Sequence, residues 1–143
     1  MYDRVVCAWA NVWGGGVKAL AWLGVACVCV VIASAVPNIV ADDDISPALV
    51  YYELARIRPE YWNATSWIFI RHYCGNSNVI AWAWYEVHSI QICADKSYNV
   101  ETFPWVLRHE MGHLYAYVNG LYFNTSYDDR ERIATWIGEE MGT

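Results

Sequence analysis

The pentapeptide HEMGH, at positions 109–113, constrains this chain more than any other stretch of it. It lies within FPWVLRHEMGHLYAYVNG, whose apolar spacing predicts one long helix. In a helix, His109 and His113 stand four residues apart, so both imidazoles project from one face, one turn from each other. Two nitrogens placed in this way can reach a single zinc ion at about 2.0–2.1 Å. Glu110 is rotated off that face yet adjacent to it, where a general base acting on a metal-activated water belongs. Trp105, Val106, Leu114 and Val118 give the helix an apolar surface to bury. Histidines and a glutamate on that surface are costly unless a cation or hydrogen bonds satisfy them. Gly112 costs roughly 1 kcal/mol against Ala in a helix interior, which is understandable where another backbone or a substrate approaches closely. The competing reading is an amphipathic helix with incidental polar residues.

A tetrahedral zinc site with one open position needs a third protein ligand. The candidates are His72, His88, Asp128, Asp129 and Glu131. A metzincin-type extension fails, because the positions that would carry its glycine and third histidine hold Ala116 and Asn119. Glu131 is the best placed. It opens ERIATW on a second predicted helix, and the loop from Asn119 to Tyr127 is long enough to turn that helix back, antiparallel to the first. Ala134, on the same side, is small enough to let the two helices come close. Asp128 and Asp129 suit the N-terminus of the second helix, where negative charge is favoured. His72 and His88 are read as structural or surface histidines.

HEMGH followed by ERIATW resembles the gluzincin-type zinc metallopeptidases, in which a downstream helical glutamate completes a HExxH site. The spacing is most similar to small, minimal members of that group, including the ImmA/IrrE-like peptidases, and the resemblance covers roughly residues 88–137. It implies a minimal zincin-like core: a short mixed sheet whose edge strand borders the cleft, an active-site helix and a ligand-bearing C-terminal helix. It also implies Zn2+ held by His109, His113 and Glu131, Glu110 as general base, and a peptide or protein as substrate. The chain departs from the ImmA/IrrE-like proteins in carrying an export-type leader, and from larger gluzincins in ending shortly after Glu131. Tyr115, Tyr117, Tyr127 and His88 are candidate donors to the oxyanion, and SIQIC is the first candidate edge for an extended peptide to pair with. Two alternatives stand beside the enzyme. One is a cell-surface binding module that keeps the zincin scaffold with little or no turnover. The other is a structural zinc site closed by a free Cys74 or Cys93.

Residues 1–35 differ in character from the remainder of the chain. Lys18 marks the edge of a positively charged segment, Ala19–Ile32 fits a signal-peptide core, and ASA at 33–35 fits the small-x-small cleavage signature. The apolar run 19–36 is also just long enough to span a bilayer. The expectation is therefore a signal peptide or membrane anchor followed by an exported domain, 36–143, secreted or tethered through residues 19–36. Cys7, Cys27 and Cys29 fall in the leader, and the remaining Cys74 and Cys93 are expected to form a disulfide. The net charge of −6, with no cluster of Lys or Arg, argues against a nucleic-acid partner.

The rest of the chain reads as an α+β domain. PNIVADDDISP (37–47) reads as a polar linker, and Ser46 with Pro47 opens a helix, ALVYYELARIR, that stops before Pro59. SWIFIRHY, VIAWAWYEV and IQICA read as the three strands of a small sheet, joined by the hairpin-length connections CGNSN and HS. Thr102 is expected to cap a helix over Phe103–Val118 that Gly120 closes, and a last helix runs from near Asp128 to about Met141. NAT at Asn63 and NTS at Asn124 are glycosylation sequons, relevant only in a host that glycosylates.

Overall fold

Two isoleucine pairs organise the sheet. Strand β2 (Trp67–Arg71) alternates so that Ile68 and Ile70 are fully buried while Trp67, Phe69 and Arg71 face outward. Strand β4 (Ser89–Cys93) does the same with Ile90 and Ile92. The two strands run parallel with Ile68 opposite Ile90 and Ile70 opposite Ile92, which lays one apolar strip across the sheet. In this computed structural model, which describes residues 36–75 and 78–142, the leader assigned to residues 1–35 and its three cysteines lie outside the described residues.

The sheet has four strands rather than three, in the order β1-β2-β4-β3. The added strand, β1 (Asn38–Ala41), comes from the segment read as a linker and pairs in parallel with β2. The Asn38 amide donates to the Ser66 carbonyl (2.9 Å) and the Asp42 amide to the Ile70 carbonyl (3.1 Å), so the backbone of a Pro- and Asp-flanked segment is satisfied by the sheet. Strand β3 (Ala81–Trp84) pairs antiparallel with β4, as the short HS connection predicts. It does not form a hairpin with β2. β4 lies between them, because its isoleucines match those of β2 and complete the buried strip. SIQIC is therefore an interior strand and offers no free edge; the edges are β1 and β3.

The helices cover the isoleucine face. Helix α1 (Ala48–Leu54) begins where Ser46 Oγ accepts the Ala48 amide at 3.3 Å. It stops at Leu54, four residues earlier than the sequence pattern suggested. Pro59 holds Arg58 in an extended conformation (φ −60°, ψ 135°) and opens a 3-10 turn, Pro59–Ala64. A single turn, α2 (Ala94–Ser97), follows β4. Helix α3 (Phe103–Val118) then buries Phe103, Val106, Leu107, Met111 and Leu114. Thr102 does not cap it through its side chain; instead Asn99 Oδ1 accepts the Glu101 and Thr102 amides at 3.1 and 2.9 Å.

Helix α3 ends at Asn119, and Gly120 takes the left-handed conformation (φ +70°) that releases the chain into the next loop. The Gly120 amide bonds to the Tyr117 carbonyl and the Leu121 amide to the Ala116 carbonyl, the paired bonds of a Schellman turn. Helix α4 (Tyr127–Met141) starts at Ser126, whose Oγ accepts the Asp129 amide at 3.2 Å and donates to the Asp129 carboxylate at 2.6 Å. The helix packs on α3 through Ala134, Ile137, Gly138 and Met141. The approach is close: a methyl group on Gly112 would overlap the Ala134 carbonyl, and one on Gly138 would lie 3.1 Å from the Arg108 carbonyl. Cys74 and Cys93 form the expected disulfide, with Cα atoms 5.6 Å apart.

Candidate metal centre

Helix α3 carries His109 and His113 on the side it turns towards α4, and α4 brings Glu131 to them from its second turn. His109 Nε2 lies 3.2 Å from His113 Nε2 and 3.2 Å from Glu131 Oε2, and His113 Nε2 lies 3.5 Å from Glu131 Oε1. A tetrahedron with arms of about 2.0–2.2 Å has edges of about 3.3–3.6 Å, so a group with these separations could hold a metal ion. The remaining imidazole nitrogens are also engaged: His109 Nδ1 is 3.3 Å from Thr135 Oγ1, and His113 Nδ1 is 2.7 Å from Tyr122 Oη. Trp105, one turn before His109, stacks on its ring at 5.1 Å and 17°. The cluster thus brings two imidazoles and a carboxylate together with hydrogen-bond partners on their outer nitrogens, a group that could hold a metal ion.

Electrostatics separates the roles of the residues. Glu110 is buried between α3 and β3 and accepts a hydrogen bond from the Ala83 amide. Burial, then the negative charge of Glu131, pushes its carboxyl up to about 8. His113 is also buried, and burial followed by the neighbouring His109 pulls it down to about 4, against the opposing pull of Glu131. At neutral pH His113 is therefore a neutral imidazole, the form that binds metals. Glu131 is about one-third exposed and is hydrogen-bonded by Tyr127, which opens the cluster to solvent on that side.

The other candidate residues lie elsewhere or are otherwise engaged. Asp129 is tied to Ser126 and Arg132, and Asp128 stands exposed in the first turn of α4. His72 is held between Asp44 (2.6 Å) and Asp95 (3.2 Å). His88 occupies a left-handed position (φ 51°) in the turn between β3 and β4. Tyr115 packs against Tyr61, and Tyr117 stacks on Tyr85. The disulfide takes both Cys74 and Cys93 out of the ligand set, which removes the structural zinc reading that required a free thiol.

Three contributors escaped the sequence reading: Thr135, Tyr85 and Tyr122. Thr135 was accessible, since it stands four residues after Glu131 and shares its helix face. Tyr85 reaches His113 because the predicted strand VIAWAWYEV stops at Trp84 and continues as a 3-10 turn, Tyr85–Val87. Tyr122 lies in a loop, where no periodicity marks it. Fold and site together describe an α+β chain with a two-histidine, one-glutamate cluster between antiparallel helices. No protein-family model, curated protein or solved structure matches it.

Proposed function

We propose that this chain is a zinc-dependent peptidase of the minimal zincin type, with His109, His113 and Glu131 as ligands and Glu110 as general base. The observation that carries the proposal is the pair of imidazole nitrogens 3.2 Å apart, with one Glu131 oxygen 3.2 Å from His109 and the other 3.5 Å from His113, beside a buried glutamate. When bound, Zn2+ supplies a Lewis acid for the scissile carbonyl and lowers the pKa of its water towards about 7. Glu110 takes a proton from the attacking water as the oxygen adds to the acyl carbon. It then delivers that proton to the amide nitrogen as the carbon–nitrogen bond breaks. In the metal-free chain burial keeps Glu110 protonated at neutral pH; the positive charge of a bound cation beside it would lower its proton affinity and free it to act as the base. Tyr127, exposed beside Glu131, is a candidate donor to the oxyanion once its hydroxyl turns away from that carboxylate. The peptide edge is β3, not β4, because β3 borders Glu110 through Ala83. The disulfide supports action in an oxidising, exported compartment.

The test combines metal analysis with cleavage of a quenched peptide. Glu110→Gln is expected to keep its zinc and lose about 10²–10⁴-fold in rate, and Glu131→Ala to lose the zinc itself. Equal background cleavage by wild type and Glu110→Gln, with zinc retained in both, would leave a binding module. Zinc lost from Asp129→Ala but kept by Glu131→Ala would overturn the ligand assignment.

A further inference from the structure

We infer that Tyr122 is a positioning residue that fixes His113 for the cation, an assignment that rests on the zinc reading above. A neutral imidazole has one proton and binds a metal through the nitrogen that lacks it, so the partner of the other nitrogen decides which one is free. His113 Nδ1 faces two phenols, Tyr122 at 2.7 Å and Tyr85 at 3.4 Å. A phenol can donate or accept, but the direction at Tyr122 is set by its second contact. Its Oη also lies 3.3 Å from the Arg130 carbonyl, which can only accept. The Tyr122 proton therefore goes to Arg130, and the phenol oxygen accepts from His113 Nδ1–H. That leaves Nε2 as the nitrogen without a proton; it accepts from His109 Nε2–H at 3.2 Å, with Glu131 Oε1 3.5 Å away as the competing acceptor that would draw a proton onto it.

The surroundings hold this arrangement in place. Tyr122 is only 7 % exposed, so water competes poorly for its hydroxyl. The Arg130 guanidinium lies over its ring at 5.4 Å, and Tyr85 meets it edge-on at 6.1 Å. The Schellman turn after α3 directs the loop that carries it. Arg130 immediately precedes Glu131, so one hydroxyl connects the ligand histidine of α3 to the turn of α4 that supplies the carboxylate. His109 has a weaker counterpart, the more distant and rotatable hydroxyl of Thr135.

Zinc affinity is measured by chelator competition on the full chain, and the His113 tautomer by long-range proton–nitrogen NMR of the metal-free protein. The wild type is expected to show His113 protonated at Nδ1. Tyr122→Phe, which keeps the ring, is expected to weaken zinc binding about 10–100-fold and to yield a mixture of tautomers. Thr135→Val should lose less, and Tyr85→Phe should bind within about twofold of wild type. Zinc binding by Tyr122→Phe equal to wild type, or an Nε2-protonated His113 in the wild type, overturns the assignment. A wild-type chain that binds no zinc would instead defeat the reading of the site. The tautomer measurement, made without metal, still decides the role of Tyr122.

Discussion

Glu110 titrates differently in the folded and unfolded chain, and this gives the site a measurable pH signature. Its carboxyl moves from an ordinary 4.5 up to about 8 on burial, so between those values the folded chain holds a proton that the unfolded chain has released. Stability of the metal-free protein therefore falls as pH rises through that window. His113 works in the opposite sense. Its value drops from 6.5 to about 4, so over that range the unfolded chain binds the extra proton and stability rises with pH. The two slopes oppose each other up to about pH 6.5; above it Glu110 acts in the same sense as exposed His72, whose pKa Asp44 and then Asp95 raise above 6.5. Denaturant titrations of chelator-treated protein should show a loss on the order of 2 kcal/mol between about pH 6.5 and 8.5, and Glu110→Gln should remove most of it. A loss undiminished in Glu110→Gln would assign the titration to another group. The residues behind this prediction were legible in the sequence, because i, i+4 spacing places His109 and His113 whatever the rest of the fold does. Tyr122 was not, since its contact with His113 is made by the path of a loop.

At the scale of elements, the site depends on how closely α3 and α4 approach. Gly112 and Ala134 permit that approach: the Ala134 carbonyl occupies the space a Gly112 side chain would need. Gly112→Ala gains roughly 1 kcal/mol of helix propensity, but backbone obstructs the methyl, and overpacking of this kind costs about 1–3 kcal/mol, occasionally more. The expected net result is a destabilised protein whose helices are pushed apart, with Glu131 withdrawn from the histidines. Calorimetry should show a lower melting temperature, and zinc affinity should fall with it. Gly138→Ala, where the nearest atoms are 3.1 Å away, should show a milder version of both effects. A Gly112→Ala protein as stable and as tight for zinc as wild type would mean that the helix spacing does not control the site. The two helices were readable because each has its own apolar face and Gly120 closes the first, whereas Ser126, which caps the second, lies ahead of the start near Asp128 that the sequence suggests. The strands were harder. β1 spans four residues between Pro37 and Asp42, too short for a periodicity, and its partner β2 lies far along the chain. Parallel pairing of β2 with β4 follows from matching isoleucines across the sheet, which local pattern cannot register.

Across the described residues, the sheet separates a stabilising corner from the His109–His113–Glu131 cluster. Because β1, β2 and β4 are parallel, their C-terminal ends meet at one side, where Asp42 pairs with Arg71 at 2.6 Å and the disulfide joins Cys74 to Cys93. His72 is clasped there by Asp44 and Asp95, whose carboxylates raise its pKa in that order. The antiparallel β3 leaves the sheet at the other end, beside Ser89, and passes directly into Tyr85, the neighbour of His113. β4 spans the distance between the two, and its Ile90 and Ile92 are wholly buried. Opening the disulfide frees a loop of sequence separation 19, which lowers stability by about 3 kcal/mol through the entropy restored to the unfolded chain. The cluster should be little affected, since its ligands and their nearer hydrogen-bond partners, Tyr122 and Thr135, come from α3, α4 and the loop between them. Tyr85, 3.4 Å from His113, follows the strand end farthest from the disulfide. A Cys74→Ala, Cys93→Ala double variant is accordingly expected to unfold at lower denaturant while its zinc affinity, measured where it remains folded, stays within about threefold of wild type. If affinity instead fell in step with stability, the corner and the cluster would form one cooperative unit, and the placing of His109, His113 and Glu131 would depend on the sheet as much as on the two helices that carry them.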